Sequence, residues 1–365
     1  VKKMEQEEKY LASGPVFDPI NEFSESCFWD VQTTPYIRCW SLARKRVNDS
    51  VLKLYGQDPE TFHTLLFTSG MNTIAAIVDA YSRGAPEDSV ILHGSEMYSD
   101  VWYSAHYICG KKIKTRFVSV QDDEAVLSRF REDGNKLLVF IIEVCTNASG
   151  QIFNFDLIPQ LHQLAPHCLI VVDNTWLSPV ACNPFKYGVD IVVESTTKHI
   201  SGCSAIGGIA TGSRRALEPL SQWMAFFGIH VPSEQCLIIE RQLHSIATRH
   251  QHASTLALAT AQWMQQEGPE MSNRVLHPLL PSHPCHQRAL KFFSSDIGPT
   301  VFLFHVSCSV EAVRAELQAL GGAHSSLSAQ TSYGAATSRI DPWPTAGPSD
   351  EFDGEETEDG GKGVG

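Results

Sequence analysis

The stretch VVDNTWLSPVACNPFKYGVDIVVESTTKHISG, residues 171–202, holds most of two apolar runs that each end in polar residues. The first run, HCLIVVDN (167–174), ends on Asp173 and Asn174. The second, VDIVVEST (189–196), leads through Thr197 into Lys198. Short runs rich in valine and isoleucine read as strands buried on both faces. NPFKYG, between them, carries the asparagine, proline and glycine of a turn. Upstream, KLLVFIIEV (136–144) is a third such run, and FDLIPQLHQLA from Phe155 supplies a helical piece before the next strand. The order strand, helix, strand, turn, strand predicts an α/β domain with a mostly parallel sheet. Ligands bind beyond the carboxyl ends of such strands, so the chemistry is expected just after Val144, Val172 and Glu194.

Polar residues gather at those three places, as EVCTNASG, DNTWLS and STTKHISG. A fourth element, LLFTSGMNTIAAIVDAY (65–81), passes from a strand through Ser69-Gly70-Met71 into a helical pattern. A glycine there lets the backbone approach a ligand, and a helix start offers N–H groups, so Gly70 and Met71 read as a phosphate cradle. Lys198 follows a buried strand, where an ammonium is costly and its pKa falls readily, which suits amine chemistry. This set, with hydroxyls at Ser195 and Thr197, suits pyridoxal 5′-phosphate. That cofactor needs a lysine amine to hold its aldehyde and a carboxylate opposite its ring nitrogen. Lys198 and Asp173 fill those two places.

Composition bounds the rest. The chain has 365 residues, 43% hydrophobic and 19% charged, which predicts a globular protein with a sizeable core. A net charge of −13 without a basic stripe argues against a nucleic-acid partner. The acidic run DEFDGEETEDGG from Asp350 reads as a solvated loop or tail. Ten cysteines form no C-x-x-C pair, so reduced thiols in the cytoplasm are expected. No apolar run reaches about 18 residues and no charged-then-apolar leader is present, so neither a membrane span nor a secretory signal is expected. Fifteen histidines include no H-x-x-x-H or H-E-x-x-H, and no metal site is expected.

Residues 171–202 resemble the cofactor segment of the pyridoxal-phosphate enzymes of cysteine and methionine metabolism. That group contains cystathionine γ-synthase, cystathionine β- and γ-lyases and methionine γ-lyase. The resemblance extends along the chain. Tyr36-Ile37-Arg38 is similar to the family's Tyr-x-Arg, which reaches the phosphate of a neighbouring subunit, and Ser69-Gly70-Met71 to its phosphate turn. Tyr98 in GSEMYSD falls where the family stacks a tyrosine on the pyridine ring, and Asn147 in EVCTNASG matches the asparagine of E-x-P-T-N-P. RQLHSIATR from Arg241 resembles the linker helix, and Ser332-Tyr333-Gly334 the loop that holds the substrate carboxylate.

The resemblance implies a pyridoxal-phosphate fold type I protein, aspartate-aminotransferase-like. It would have a large, mostly parallel-sheet domain over 51–230, a smaller C-terminal α/β domain over 231–365, and an extended arm over 1–50 that packs on a partner subunit. It implies β/γ-elimination or γ-replacement on cystathionine, a homoserine ester or a related amino acid, in a homotetramer whose active sites are shared within dimers. Lys198, Tyr98 and Asp173 would be catalytic. Ser195, Thr197, Gly70, Met71, Tyr36 and Arg38 would join them in holding the cofactor, and Asn147 and Ser332 would bind substrate. The rival readings are a non-catalytic relative and another fold type I enzyme, such as an aminotransferase or a cysteine desulfurase. Lys198 and Asp173 favour an enzyme, and the Tyr-x-Arg and Ser-Gly-Met features favour the sulfur group.

Departures from the family carry expectations too. Ala148 stands where the family has a proline and is expected to loosen that turn. Cys203-Ser204-Ala205 replaces the usual His-Ser-Asp. No late strand carries the family's carboxylate-binding arginine, so the chain is expected to stop short of it.

Overall fold

The computed structural model describes residues 41–110, 112–267, 274–294, 297–323, 327–329, 333–335 and 338–341. Tyr36, Arg38, Ser332 and the acidic run from Asp350 lie outside the described residues. The chain opens with helix α1 (Leu42–Tyr55), and β1 (Phe62–Phe67) leads into α2 (Gly70–Ser82). There follow β2 (Val90–Gly94), α3 (Ser99–Cys109), β3 (Lys114–Val118), α4 (Asp123–Asp133) and β4 (Leu137–Glu143). Next come α5 (Ile158–Leu164), β5 (Leu169–Asp173), the short α6 (Ser178–Ala181), β6 (Ile191–Ser195) and β7 (Gly208–Ser213). The three strands expected from the apolar runs are therefore β4, β5 and β6.

These seven strands form one sheet in the order β1-β7-β6-β5-β4-β2-β3. β3, β2, β4, β5 and β6 run parallel, and β7 runs antiparallel to both β6 and β1. Successive side chains of a strand point to opposite faces, and β4 obeys this rule with apolar residues on both. Phe140 and Ile142 enter one core with Val172 of β5 and Val192 of β6, while Val139 and Ile141 enter the other with Val171 and Val193. Helices α2, α3 and α7 (Arg214–Phe227) cover the second face through Ile77, Val101 and Leu220. On the first face α1, α4, α5 and α8 (Ser233–Leu243) contribute Val51, Phe130, Leu161 and Ile239. A sheet so covered buries both faces, and this is why its strands read as continuous apolar runs rather than alternating ones.

Residues 42–50, at the end of the segment expected to be an extended arm, are helical. Ser41 caps α1 by accepting the Arg44 N–H at 3.4 Å, and Gly56 ends it with φ 63°. Arg44 is buried, and its Nη1 donates to the Val231 carbonyl at 3.4 Å.

After α8 comes the long helix α9 (Ile246–Glu267), with a break at His244 and Ser245. The later elements are β8 (Val275–Leu276), α10 (His286–Phe292), β9 (Leu303–Phe304), α11 (Val310–Ala323), β10 (Leu327–Ala329) and β11 (Ser338–Ile340), of which only α11 is longer than seven residues. β8 pairs antiparallel with β9, and β10 pairs parallel with β11. No helix among the described residues is long and apolar enough to cross a membrane.

Candidate active site

The parallel strands β4, β5 and β6 end together at one edge of the sheet. Glu143, the last residue of β4, is the register partner of Asp173, the last of β5, and Asp173 in turn pairs with Val193 of β6. Beyond Asp173 the chain turns so that Thr175 donates its N–H to Asp173 Oδ1 at 2.8 Å. The Thr175 hydroxyl then accepts the Ser195 N–H at 2.9 Å. Thr175 thus joins the end of β5 to the end of β6. Burial raises the pKa of Asp173 above the ordinary carboxylate value, and the hydrogen bonds from Thr175 oppose the rise. Among the described residues Asp173 has no ion-pair partner. A protonated ring nitrogen is the kind of group that such a buried carboxylate lacks.

After Ser195 the backbone makes a single wide turn over Thr196–Ile200, closed by Ser201 N–H donating to the Thr196 carbonyl at 2.8 Å. Lys198 sits in its middle with φ −86° and ψ −120°, so the helical ladder is broken at that residue. Burial lowers the pKa of Lys198, Arg339 lowers it further and Cys203 opposes. The ammonium nitrogen lies 4.9 Å from the centre of the Tyr333 ring. Arg249 of α9 holds the turn from outside. Its Nη1 donates to the His199 carbonyl at 2.8 Å, and its Nη2 donates to the carbonyls of Ile200 at 3.2 Å and Gln242 at 3.0 Å.

Gly70 begins α2, capped by Ser69, whose hydroxyl accepts the Asn72 N–H at 3.0 Å. The first N–H groups of a helix have no partner inside it, which leaves those of Gly70 and Met71 for a ligand. A Cβ on Gly70 would fall 2.9 Å from Ser195 Cβ and 3.2 Å from its Cα, so glycine is required for this turn to lie against the end of β6. Ser195 therefore borders the cradle. The Thr197 hydroxyl accepts the Gly207 N–H at 3.1 Å, which fixes its orientation after β6. Among the described residues the buried Thr196 hydroxyl has no hydrogen-bond partner.

Tyr98 caps the start of α3, with 45% of its surface exposed. Burial raises the pKa of its phenol first, and the neighbouring Asp100 adds to the rise. Asn147 lies in the turn after β4. Within that turn Thr146 N–H donates to the Gln151 carbonyl at 2.9 Å, and Gly150 N–H to the Thr146 carbonyl at 3.0 Å. The Gln151 N–H also donates to the Thr146 hydroxyl at 2.9 Å. These bonds hold the turn without the ring of a proline.

The structure thus brings Asp173, Ser195, Lys198, Gly70 and Met71 to one edge of the sheet, with Tyr98 and Asn147 on adjoining loops. It adds residues that the sequence reading missed: Glu143 and Thr175 at the strand ends, and Arg249 behind the lysine. All three lay inside quoted segments, but their bonding partners are set by the fold. The buried carboxylate without an ion pair, the glycine cradle and the lysine of lowered pKa fit pyridoxal phosphate.

Known proteins agree with this donor set. The chain is 26% identical over 310 residues to the cystathionine gamma-lyase of Saccharomyces cerevisiae, covering 82% of this chain and 75% of that one. It is 27% identical over 279 residues to the cystathionine beta-lyase of Schizosaccharomyces pombe, covering 74% and 68%. Among solved structures, cystathionine gamma synthase of Xanthomonas oryzae pv. oryzae superposes with a TM-score of 0.71 at 22% identity, over 86% of this chain and 77% of that one. Cystathione gamma lyase of Micromonospora echinospora does so with a TM-score of 0.70 at 18% identity, over 85% and 77%. These two likenesses establish the fold, type I of the pyridoxal-phosphate enzymes. The family model described as "Cys/Met metabolism PLP-dependent enzyme" matches residues 9–346, and with Lys198 and Asp173 set at the strand ends of this fold, the chain belongs to that family.

Proposed function

We propose that this chain is a pyridoxal-phosphate enzyme of sulfur amino-acid metabolism that makes or breaks a carbon–sulfur bond, of the cystathionine γ-synthase or lyase type. The observation that carries the reading is the pairing of a lysine of lowered pKa with a buried carboxylate. Lys198 and Asp173 follow adjacent parallel strands and are linked through Thr175 and the Ser195 N–H. The names of the two yeast relatives support the substrate class.

When bound, pyridoxal phosphate supplies an electron sink for charge that develops at the substrate α-carbon. The chain's own residues do the rest. Asp173 holds the ring-nitrogen proton. Lys198 Nζ would hold the cofactor aldehyde and, as the free amine, would take the substrate α-proton; its lowered pKa favours the neutral form needed for that role. Gly70, Met71, Ser195 and Thr197 would hold the phosphate, Tyr98 would cover the ring, and Asn147 and Ser332 would bind substrate. Tyr36 and Arg38, ahead of α1, reach the phosphate of a neighbouring subunit, in a cytoplasmic homotetramer with sites shared within dimers. A large cofactor-binding domain over 51–230 and a smaller one over 231–365 complete the proposal.

The test is the visible absorbance of the purified chain with added pyridoxal phosphate, beside Lys198→Ala. A band that borohydride fixes onto the peptide containing Lys198, and that the variant lacks, supports the cofactor assignment. Thiol release from L-cystathionine, or cystathionine formation from a homoserine ester and cysteine, then identifies the reaction. A wild-type chain that neither forms the band nor turns over these compounds would leave a non-catalytic relative.

A further inference from the structure

The Glu143 side chain is used twice, on two segments far apart in the chain. Its Oε1 accepts the Tyr98 N–H at 2.8 Å, and its Oε2 accepts the Asn147 N–H at 2.7 Å. Glu143 is buried at the end of β4, a strand in the middle of the sheet, so its position is set by the core and not by either loop. The cost of this placement is visible. Burial, and then Asp173, push the Glu143 carboxyl well above the usual range, and the two N–H donors oppose the rise. A buried acid is expensive, and replacing it with an apolar residue would orphan two amide groups.

We propose that Glu143 is a positioning residue: its two oxygens hold the main chain at Tyr98 and at Asn147 in one spacing, so that both flanks of the site are set as a unit. The inference rests on the functional reading in that Tyr98 faces the cofactor ring and Asn147 the substrate. The two-sided geometry explains why an acid occupies this place. Each oxygen takes one donor, and a glutamine would turn its NH₂ against one of the two N–H groups. An aspartate, one methylene shorter, would not span both. Glu96 makes a second, more exposed connection between the same segments. Its carboxylate accepts the Ser149 N–H, the Ser149 hydroxyl at 2.7 Å and the Gln151 side-chain amide at 2.8 Å.

Hydrogen exchange of the full chain, followed by mass spectrometry on peptides spanning Tyr98 and Asn147, tests the tether without cofactor or substrate. In Glu143→Gln the peptide whose N–H meets the glutamine NH₂ should exchange roughly tenfold faster, as expected for loss of one hydrogen bond, while β4 and β5 stay protected. Glu143→Asp keeps the carboxyl and serves if the glutamine variant does not fold; it should free at least one of the two amides. In the cofactor-loaded chain, visible circular dichroism per bound cofactor should fall in Glu143→Gln, which a loss of stability alone would not cause. Unchanged exchange at both peptides in Glu143→Asp, or unchanged ellipticity per cofactor in a folded Glu143→Gln, overturns the proposal. A wild-type chain that binds no cofactor overturns the functional reading instead, and the exchange result still decides the tether.

Discussion

Gly334 lies directly against the backbone of Lys198: a Cβ placed on it would fall 2.6 Å from the Lys198 carbonyl carbon and 2.8 Å from its oxygen. The next contacts repeat the theme. The Cys203 thiol donates to the Tyr333 carbonyl at 3.1 Å, and the Tyr333 ring lies beside the lysine amine. A loop from the end of the chain therefore closes over the turn that carries the lysine.

Gly334→Ala should damage the site more than a glycine replacement of equal backbone strain elsewhere. Gly334 has φ +97° and Gly84 has φ +74°, but only Gly334 meets other atoms, since nothing lies within 4 Å of a Cβ at Gly84. Gly84→Ala should cost about 1–2 kcal/mol from the left-handed backbone alone. Gly334→Ala should weaken cofactor binding about tenfold or more as well, because Lys198 must shift. Thermal melts and a pyridoxal-phosphate titration of the two variants check this.

Arg249→Lys should loosen the lysine turn although the charge is kept. The guanidinium serves three carbonyls and, through Nε, the Ser245 hydroxyl at 3.0 Å, and an ammonium cannot match that fork. We expect a loss of about 2 kcal/mol in denaturant unfolding, with weaker cofactor binding. Equal stability of the two proteins would show that the turn holds without the fork.

Stability should fall as pH rises through the neutral range because of Glu194. Burial raises its pKa from 4.5 to about 8, against the Tyr55 hydroxyl that donates to it at 2.6 Å. The folded state thus holds this proton where the unfolded state has lost it. Its contribution is complete below pH 4.5 and is lost by about pH 8, at up to about 1.4 kcal/mol per pH unit. Glu194→Gln keeps an acceptor for Tyr55 and should flatten the slope. Urea unfolding of both proteins at several pH values between these limits measures it.

Tyr333→Ala should raise the pKa of Lys198 toward that of an ordinary lysine, whereas Tyr333→Phe should not. Burial is the largest cause of the depression, and the Tyr333 ring is part of the cover over the amine. The pH midpoint of amine labelling at Lys198 in cofactor-free protein, read by mass spectrometry, should move upward only in the alanine variant.

Much of the fold was legible because buried parallel strands leave a local mark. The runs ending at Val144, Asp173 and Thr196 are β4, β5 and β6, and Ser69-Gly70-Met71 is the strand-to-helix turn it was read as. The extended arm over 1–50 was implied by the resemblance, whereas residues 42–50 belong to α1, where Arg44 is buried through a carbonyl that lies far along the chain. The bonds that close the turn at Asn147 involve Gln151 and Gly150, whose role no local pattern announces.

The order of residues was enough to choose the sheet type, the edge at which chemistry would gather, and the residue types that meet there, since strand burial and turn chemistry act over a few neighbours. Which groups touch at that edge depended on register and packing. Glu143 faces Asp173 because β4 and β5 pair in one register, Glu143 reaches Tyr98 across 45 residues, and Gly334 reaches Lys198 from a loop far beyond the sheet. Such contacts exist only when the whole core is closed, because their free energy comes from burial that no single segment can supply.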